Sequence, residues 1–344
     1  MAALPPGIIL RKGGPKVRRL SGLLCIVCIL AVLAASGCRA RPKEYTTYYF
    51  DYFDTFSYLT VYASDDEEAA RYASVTESLL IAYDALLDSY SPHEGVVGLY
   101  EINRAAGTDI RVSPELFAFL EYGVQAYEDS LHTVNIALGP VLRLWQAELT
   151  SEHPAVPARD ALEAAAVHTD PADILLDRTS LTVRLRYPDM ALDAGALGKG
   201  YLCQKVEEAL REAGCTSALF SAGGNVLCIG SVPAKGLFEA PQGFHVGIRN
   251  PSPEDTGLYT TWSVSDASVV TSGDYERFFE IDGVRYHHLI DPATLEPGRL
   301  YHSVTVKCRD AAAGDMLSTA LFLLSREDGA ALAARYGADV LYLS

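Results

Sequence analysis

The chain has 344 residues, 49% of them hydrophobic, and a formal charge of −16. That length allows one large or two ordinary domains around a well-buried core, and the absence of low-complexity segments argues for a globular body. The acidic balance argues against sequence-independent nucleic-acid binding, which needs a basic surface.

The chain opens with Arg11, Lys12, Lys16, Arg18 and Arg19 ahead of the apolar run "LSGLLCIVCILAVLAASGC". Basic, then apolar, then small is the order of a secretory signal, here residues 1–37. Those residues hold five cations and no acid, so a mature chain starting at Cys38 would carry about −21. The run Ala35-Ser36-Gly37-Cys38 resembles a bacterial lipobox, in which the cysteine is lipidated after cleavage; Ala35 stands where leucine is usual. An uncleaved membrane anchor is the alternative. In either case the body is expected in the cell envelope, on the outer side of the cytoplasmic membrane. Residues 38–48 read as a polar, lipidated linker and residues 49–344 as the folded body.

In the body, "SYLTVYA" predicts a strand, and residues 66–89 place Tyr72, Val75, Leu79, Leu80, Tyr83, Leu86 and Leu87 on one helical face. Ser113-Pro114 supplies a capping hydroxyl and a proline at the first helical position for "ELFAFLEYGVQAYEDS". "LTVRLRY" alternates as a half-exposed strand should. The segment 201–213 has Leu202, Val206 and Leu210 four apart and stops at Gly214, a good C-cap. Strand patterns then dominate: "SALFSAGG", "FHVGI" and "SVSDASVV", followed by "RFFEIDGVRYHHLID", a hairpin turning at Asp282-Gly283. "SVTVKC" is one more strand and "AAGDMLSTALFLLS" an apolar helix. Helices and strands mix without regular alternation, which predicts an α+β fold of mainly antiparallel sheets with packed helices.

Seven cysteines are present; Cys25 and Cys28 fall in the signal and Cys38 at its end. Cys203, Cys215, Cys228 and Cys308 form no C-x-x-C pair, and no histidine stands at zinc-ligand spacing. Buried free thiols are expected, with a disulfide left open.

Three segments carry chemistry. "ALDAGALGKGYLCQKVEEALREAG" sets Asp193 and Lys199 on a backbone stripped of side chains before a helix start, a place where an anion can approach the main chain. Asp315 and Thr319 stand four apart on the helix expected at 311–324, hard oxygen donors suited to Mg²⁺, although an acid near a helix start is ordinary dipole compensation. "TSGDYERFFEIDGVRYHHLIDP" ends in His287 and His288, adjacent strand residues of which one can face a site and the other is expected at the surface.

The order "LDAGALGKGY", "SALFSAGGNVLCIG", "HVGIRNP", "TSGDYERFF…YHHLIDPATLEPG" and "SVTV…GDMLSTALFLL" resembles the ApbE family, the FAD:protein FMN transferases. Upstream, "VNIALGPVLRLW" and "FDTFSYLTVYA" are similar to further family segments, so the resemblance covers roughly residues 50–325. It implies an ApbE-like, T-fold-like domain over 49–344 that moves the FMN half of FAD onto a threonine or serine hydroxyl of an exported redox protein subunit, releasing AMP. It further implies FAD contacts from Asp193 and Lys199. Mg²⁺ would be held by the Ala196 carbonyl, Asp315 and Thr319, and His288 would take the acceptor's proton. Phe56, Tyr90, Thr133, Val134, Asn135 and Leu289 fall at positions lining the flavin or adenine. Asn135-Ile136-Ala137 replaces the usual Asp-Pro-Thr. Two other functions remain open: FAD pyrophosphatase activity at the same site, and flavin binding without turnover. Tyrosine at position 90 resembles the transferring members.

Overall fold

The computed structural model describes residues 41–344 apart from 237, 238, 253, 255 and 256. The signal expected over 1–37 and the lipidation site Cys38 lie outside the described residues. One compact unit, Lys43–Ser344, carries the elements below.

Two strands open it, β1 (Lys43–Tyr52) and β2 (Thr55–Ala63), paired antiparallel with Lys43 opposite Ala63. The linker expected to reach residue 48 therefore gives way at Lys43 to a strand. Its sequence, "KEYTTYYFDY", is rich in tyrosine and threonine but too polar to read as half-buried. Tyr49 is its one buried residue, and its hydroxyl donates to the Ala73 carbonyl.

Helix α1 (Asp66–Leu87) starts where the Asp65 carboxylate accepts from the Glu68 N–H, and it buries Tyr72, Leu80, Tyr83 and Leu87. A short α2 (Leu99–Arg104) and strand β3 (Ile110–Arg111) lead to α3 (Pro114–Asp129), capped by Ser113 as its sequence predicts. Next come α4 (Gly139–Leu149), α5 (Arg159–Ala165), β4 (Ile174–Asp177) and β5 (Thr182–Leu185). Helix α6 (Gly198–Glu212) ends before Gly214, whose φ of +92° is the left-handed conformation a C-cap requires.

The second half supplies β6 (Ala218–Ala222), β7 (Asn225–Ile229), β8 (Phe244–Arg249), β9 (Leu258–Val264) and β10 (Ala267–Gly273). "SVSDASVV" is not one strand: it breaks at Ser265-Asp266, Asp266 has φ +48°, and β9 and β10 belong to different sheets. The hairpin β11 (Phe278–Ile281) and β12 (Val284–His287) turns at Asp282-Gly283 as predicted, both residues at positive φ. Then follow β13 (Ser303–Cys308), α7 (Ala311–Leu323), α8 (Arg326–Arg335) and β14 (Asp339–Leu343).

Among the described residues, seven strands form one sheet in the order β1-β2-β6-β7-β10-β13-β14, antiparallel in every pairing. The fold is α+β, as predicted. On one face, α1, α6 and α7 bury the main core with Leu59, Phe220, Leu227 and Val306. Helix α7 is buried at every residue from Ala311 to Phe322, so its polar Asp315, Ser318 and Thr319 sit within the protein. The β8–β9 hairpin covers part of the other face through Phe244, Val246 and Val264, with Tyr62, Leu219 and Val226. A satellite cluster of Trp145, Leu162, Phe279, Ile290 and Leu295 fixes α4 against the β11–β12 hairpin. There the Trp145 Nε1–H donates to the Leu295 carbonyl at 2.9 Å. Cys203, Cys215, Cys228 and Cys308 are free and buried. Among the described residues, no helix is long and apolar enough to cross a membrane.

Candidate active site

Asp315 is the deepest charged group of the site. It lies 5% exposed on α7, and its Oδ2 accepts the Gly200 N–H at 2.7 Å. Burial pushes its carboxyl pKa up, while Lys199, the Gly200 N–H and the Asn225 amide favour the charged form. The side-chain Nδ2 of Asn225, itself buried, makes no hydrogen bond of ordinary geometry. Because Gly200 donates to Asp315, its own helical acceptor, the Ala196 carbonyl, accepts nothing from the described residues. Thr319 is 7% exposed, with only a 3.5 Å contact from its hydroxyl to Ser272 Oγ.

The expected Mg²⁺ donors therefore share one property. A carbonyl, a carboxylate and a hydroxyl are buried or half-buried with acceptor capacity to spare, next to an orphaned amide. This donor set fits a hard cation that keeps several waters or substrate oxygens. Among the described residues no three His, Cys, Asp or Glu side chains gather as a metal cluster, so the set contributes a single carboxylate.

Asp193 has a different task. Its N–H donates to the Ile136 carbonyl, and its Oδ1 accepts the Gly195 N–H at 2.7 Å, which closes the small-residue turn before α6. Its Oδ2 faces the loop after α1, accepting the Tyr90 hydroxyl at 2.9 Å and the Ser89 hydroxyl at 3.4 Å. Tyr90 leaves much of its ring exposed. Loss of water around its hydroxyl, and then Asp193, push the phenol pKa well above its ordinary value; Arg143 and Arg277 oppose that shift. The loop is fixed by Asp88, whose carboxylate accepts the Tyr90 and Ser91 N–H groups and contacts His93 at 3.0 Å.

The two histidines separate as alternation requires. His287, expected at the surface, is instead 3% exposed, its Nε2 on the Gly298 carbonyl at 2.7 Å and its Nδ1 accepting the Leu289 N–H. Packing of the hairpin against α7, where Phe322 meets the ring edge-on, turns this position inward. His288 is half-buried. Its N–H and its Nδ1 both contact the Arg277 carbonyl, at 3.2 and 3.4 Å. That partner places the proton on Nδ1 and leaves the Nε2 lone pair available. Burial, then His287, Lys199 and Arg277, lower its pKa to about 4, so the ring is neutral at neutral pH.

The remaining predicted positions differ in what they offer. Phe56 is exposed on β2 and stacks on Tyr48, with centroids 5.8 Å apart. Thr133 donates to the Ser130 carbonyl, and the side chains of Val134 and Leu289 are buried in the core. The Val134 N–H donates to Ser130 Oγ, and the Leu289 carbonyl accepts the Gly298 N–H, so both positions are tied into the fold. Asn135 spends its amide on the Thr169 carbonyl and the Ala137 N–H. Sequence reasoning missed Ser89, and it quoted Gly200 and Asn225 within motifs without giving either a role. It quoted Asp274 and Arg277 in the same way.

The ApbE family model matches residues 53–342. The FAD:protein FMN transferase of Klebsiella pneumoniae (strain 342) is 32% identical over 289 residues, covering 83% of this chain and 85% of its own. That of Treponema pallidum (strain Nichols) is 34% identical over 336 residues, covering 94% and 90%. The crystal structure of the ApbE protein of Thermotoga maritima superposes with a TM-score of 0.76 at 25% identity, covering 87% of this chain and 94% of that one.

Proposed function

Because this chain belongs to the ApbE family, we propose that it is an FAD:protein FMN transferase, moving FMN from FAD to a threonine or serine hydroxyl of an exported protein and releasing AMP. The observation that carries the reading is the junction of α6 and α7. A buried carboxylate, Asp315, is held by the Gly200 N–H beside Lys199, with Thr319 one turn on and an unengaged Ala196 carbonyl. In so acidic a chain, this is where a diphosphate finds a cation and open main chain together.

Ala196, Asp315 and Thr319 would hold Mg²⁺, which when bound polarises phosphoryl oxygens and offsets charge on the leaving phosphate. Lys199, at the first turn of α6, pairs with the diphosphate from the protein side. Asp193 and Tyr90 fix the loop and the small-residue turn as one wall, and Phe56 offers an exposed aromatic face for a flavin ring. His288, neutral and with Nε2 free, accepts the proton of the attacking hydroxyl. The basic-apolar-small leader and Cys38 extend the proposal to a lipid-anchored protein on the outer side of the cytoplasmic membrane, where exported redox subunits are the acceptors.

The test incubates the protein with FAD and Mg²⁺, with and without an exported acceptor carrying a flavinylation site, and follows AMP and flavin-labelled protein. AMP with labelled acceptor supports transfer. AMP with free FMN indicates hydrolysis, and bound intact FAD without AMP indicates a binder. Asp315→Ala is expected to abolish AMP release; retained, metal-dependent release would overturn the site.

A further inference from the structure

Arg277 precedes β11, and its carbonyl receives both the N–H and the ring Nδ1 of His288, so the two ends of the β11–β12 hairpin are clamped at this residue. Phe278 pairs with His287, so Arg277 stands opposite the proposed base, His288, across the hairpin. The positive charge of Arg277 reaches two groups on separate elements, the Tyr90 phenol after α1 and the His288 ring after β12. Yet the Arg277 side chain is exposed and, among the described residues, makes no hydrogen bond, ion pair or ring contact.

The arginines around it are engaged. Arg285 pairs with Asp274 and Glu280, Arg249 with Glu276, and Arg299 donates to the Arg285 carbonyl. Arg143, also near Tyr90, donates to the Ser89 carbonyl at 3.5 Å. The chain holds 44 acidic against 28 basic residues, so an exposed arginine left without a carboxylate among the described residues, opposite the proposed base, is poised for an anionic ligand.

Resting on the transferase reading, we propose that the Arg277 guanidinium contacts the phosphoryl group in transit and carries part of the charge that develops on it. The acceptor hydroxyl oxygen forms a bond to the FMN phosphorus as the phosphorus–oxygen bond to AMP breaks. AMP leaves with that electron pair, and the hydroxyl proton passes to His288 Nε2. Arg277 acts on the equatorial oxygens of the group being transferred, from the hairpin side of the cleft, while Lys199 and the Asp315 end hold the diphosphate.

The test compares the intact protein with Arg277→Ala and Arg277→Lys, using FAD and a flavin-accepting exported protein. Loss of a transition-state contact of this kind is expected to lower kcat roughly 100-fold in the alanine variant, with partial recovery in the lysine variant. The dissociation constant for FAD should stay within about threefold, and the melting temperature should not move, since the side chain makes no bond or ring contact among the described residues. The acid limb of the pH–rate profile should also shift upward in Arg277→Ala. One of the cations facing His288 is then gone, with Lys199 and His287 remaining. An unchanged kcat, an effect confined to the KM of the acceptor, or a kcat loss matched by a fall in melting temperature would each overturn the inference. A wild-type protein that neither labels acceptor nor releases AMP would instead overturn the transferase reading, and this inference with it.

Discussion

Gly200 is the residue on which the proposed metal end of the site turns. A Cβ there would overlap the Asp315 Cβ and lie 2.7 Å from the Ala311 carbonyl oxygen, both in the neighbouring helix. Only glycine lets α6 approach α7 closely enough for its N–H to reach the carboxylate. Gly200→Ala is expected to cost about 1–3 kcal/mol by overpacking, read as a lower melting temperature, and to weaken FAD turnover out of proportion to that loss. His288 makes a second residue-scale prediction. Its pKa is depressed to about 4, below the ordinary 6.5, so the base stays neutral through mildly acid solution. The acid limb of kcat should therefore fall near pH 4 rather than near 6.5. Between those values the unfolded chain binds more protons than the folded one, so this residue's contribution to stability declines as pH falls through that window. A thermal melt series from pH 7 to pH 4 should register that decline, and His288→Gln should reduce it.

At the scale of elements, the β11–β12 hairpin is the part that must be held still. Its anchor is Asp274 just after β10, 6% exposed, whose carboxylate meets Arg285 of β12 at 3.0 Å and His302 at 2.7 Å. Aromatic stacking supports it from below: Tyr286 lies 6.0 Å from Trp145 and 5.3 Å from Phe279. Asp274→Asn removes the charge that both partners need. Because His302 is largely solvent-facing, the expected cost is about 2 kcal/mol rather than that of a fully buried pair. Hydrogen exchange should quicken in the hairpin while β6 and β7 keep their protection. The value of kcat should fall with FAD affinity nearly unchanged, because the diphosphate end is on other elements.

For the whole molecule, the consequential boundary is the sheet edge. The family match begins at residue 53, but the fold begins at Lys43, because β1 covers β2 along its length and buries Tyr49. A chain shortened to start at Phe53 would expose the β2 edge next to an exposed aromatic surface that includes Phe56. Its melting temperature should drop, and size-exclusion chromatography should reveal association; a monomer of unchanged stability would contradict the role given to β1.

Local pattern sufficed wherever neighbours in sequence are neighbours in space. The caps of α3 and α6, the buried stripe of α1, the Asp282-Gly283 turn and the stripped backbone at 191–200 were all legible, since each depends on dihedral preference or periodicity over a few residues. Other features depended on long-range packing. Tyr90 and Asp193 are 103 residues apart, and nothing in either segment announces their hydrogen bond. Asn135 falls at a flavin-lining position by resemblance, and only the fold shows its amide bonded to the Thr169 carbonyl, 34 residues away. Burial of His287, pairing of a polar β1 and the lack of a partner for the Arg277 guanidinium among the described residues were likewise decided only when helices and sheet closed around them. Burial and charge pairing are properties of the surroundings, and those are assembled by tertiary contacts.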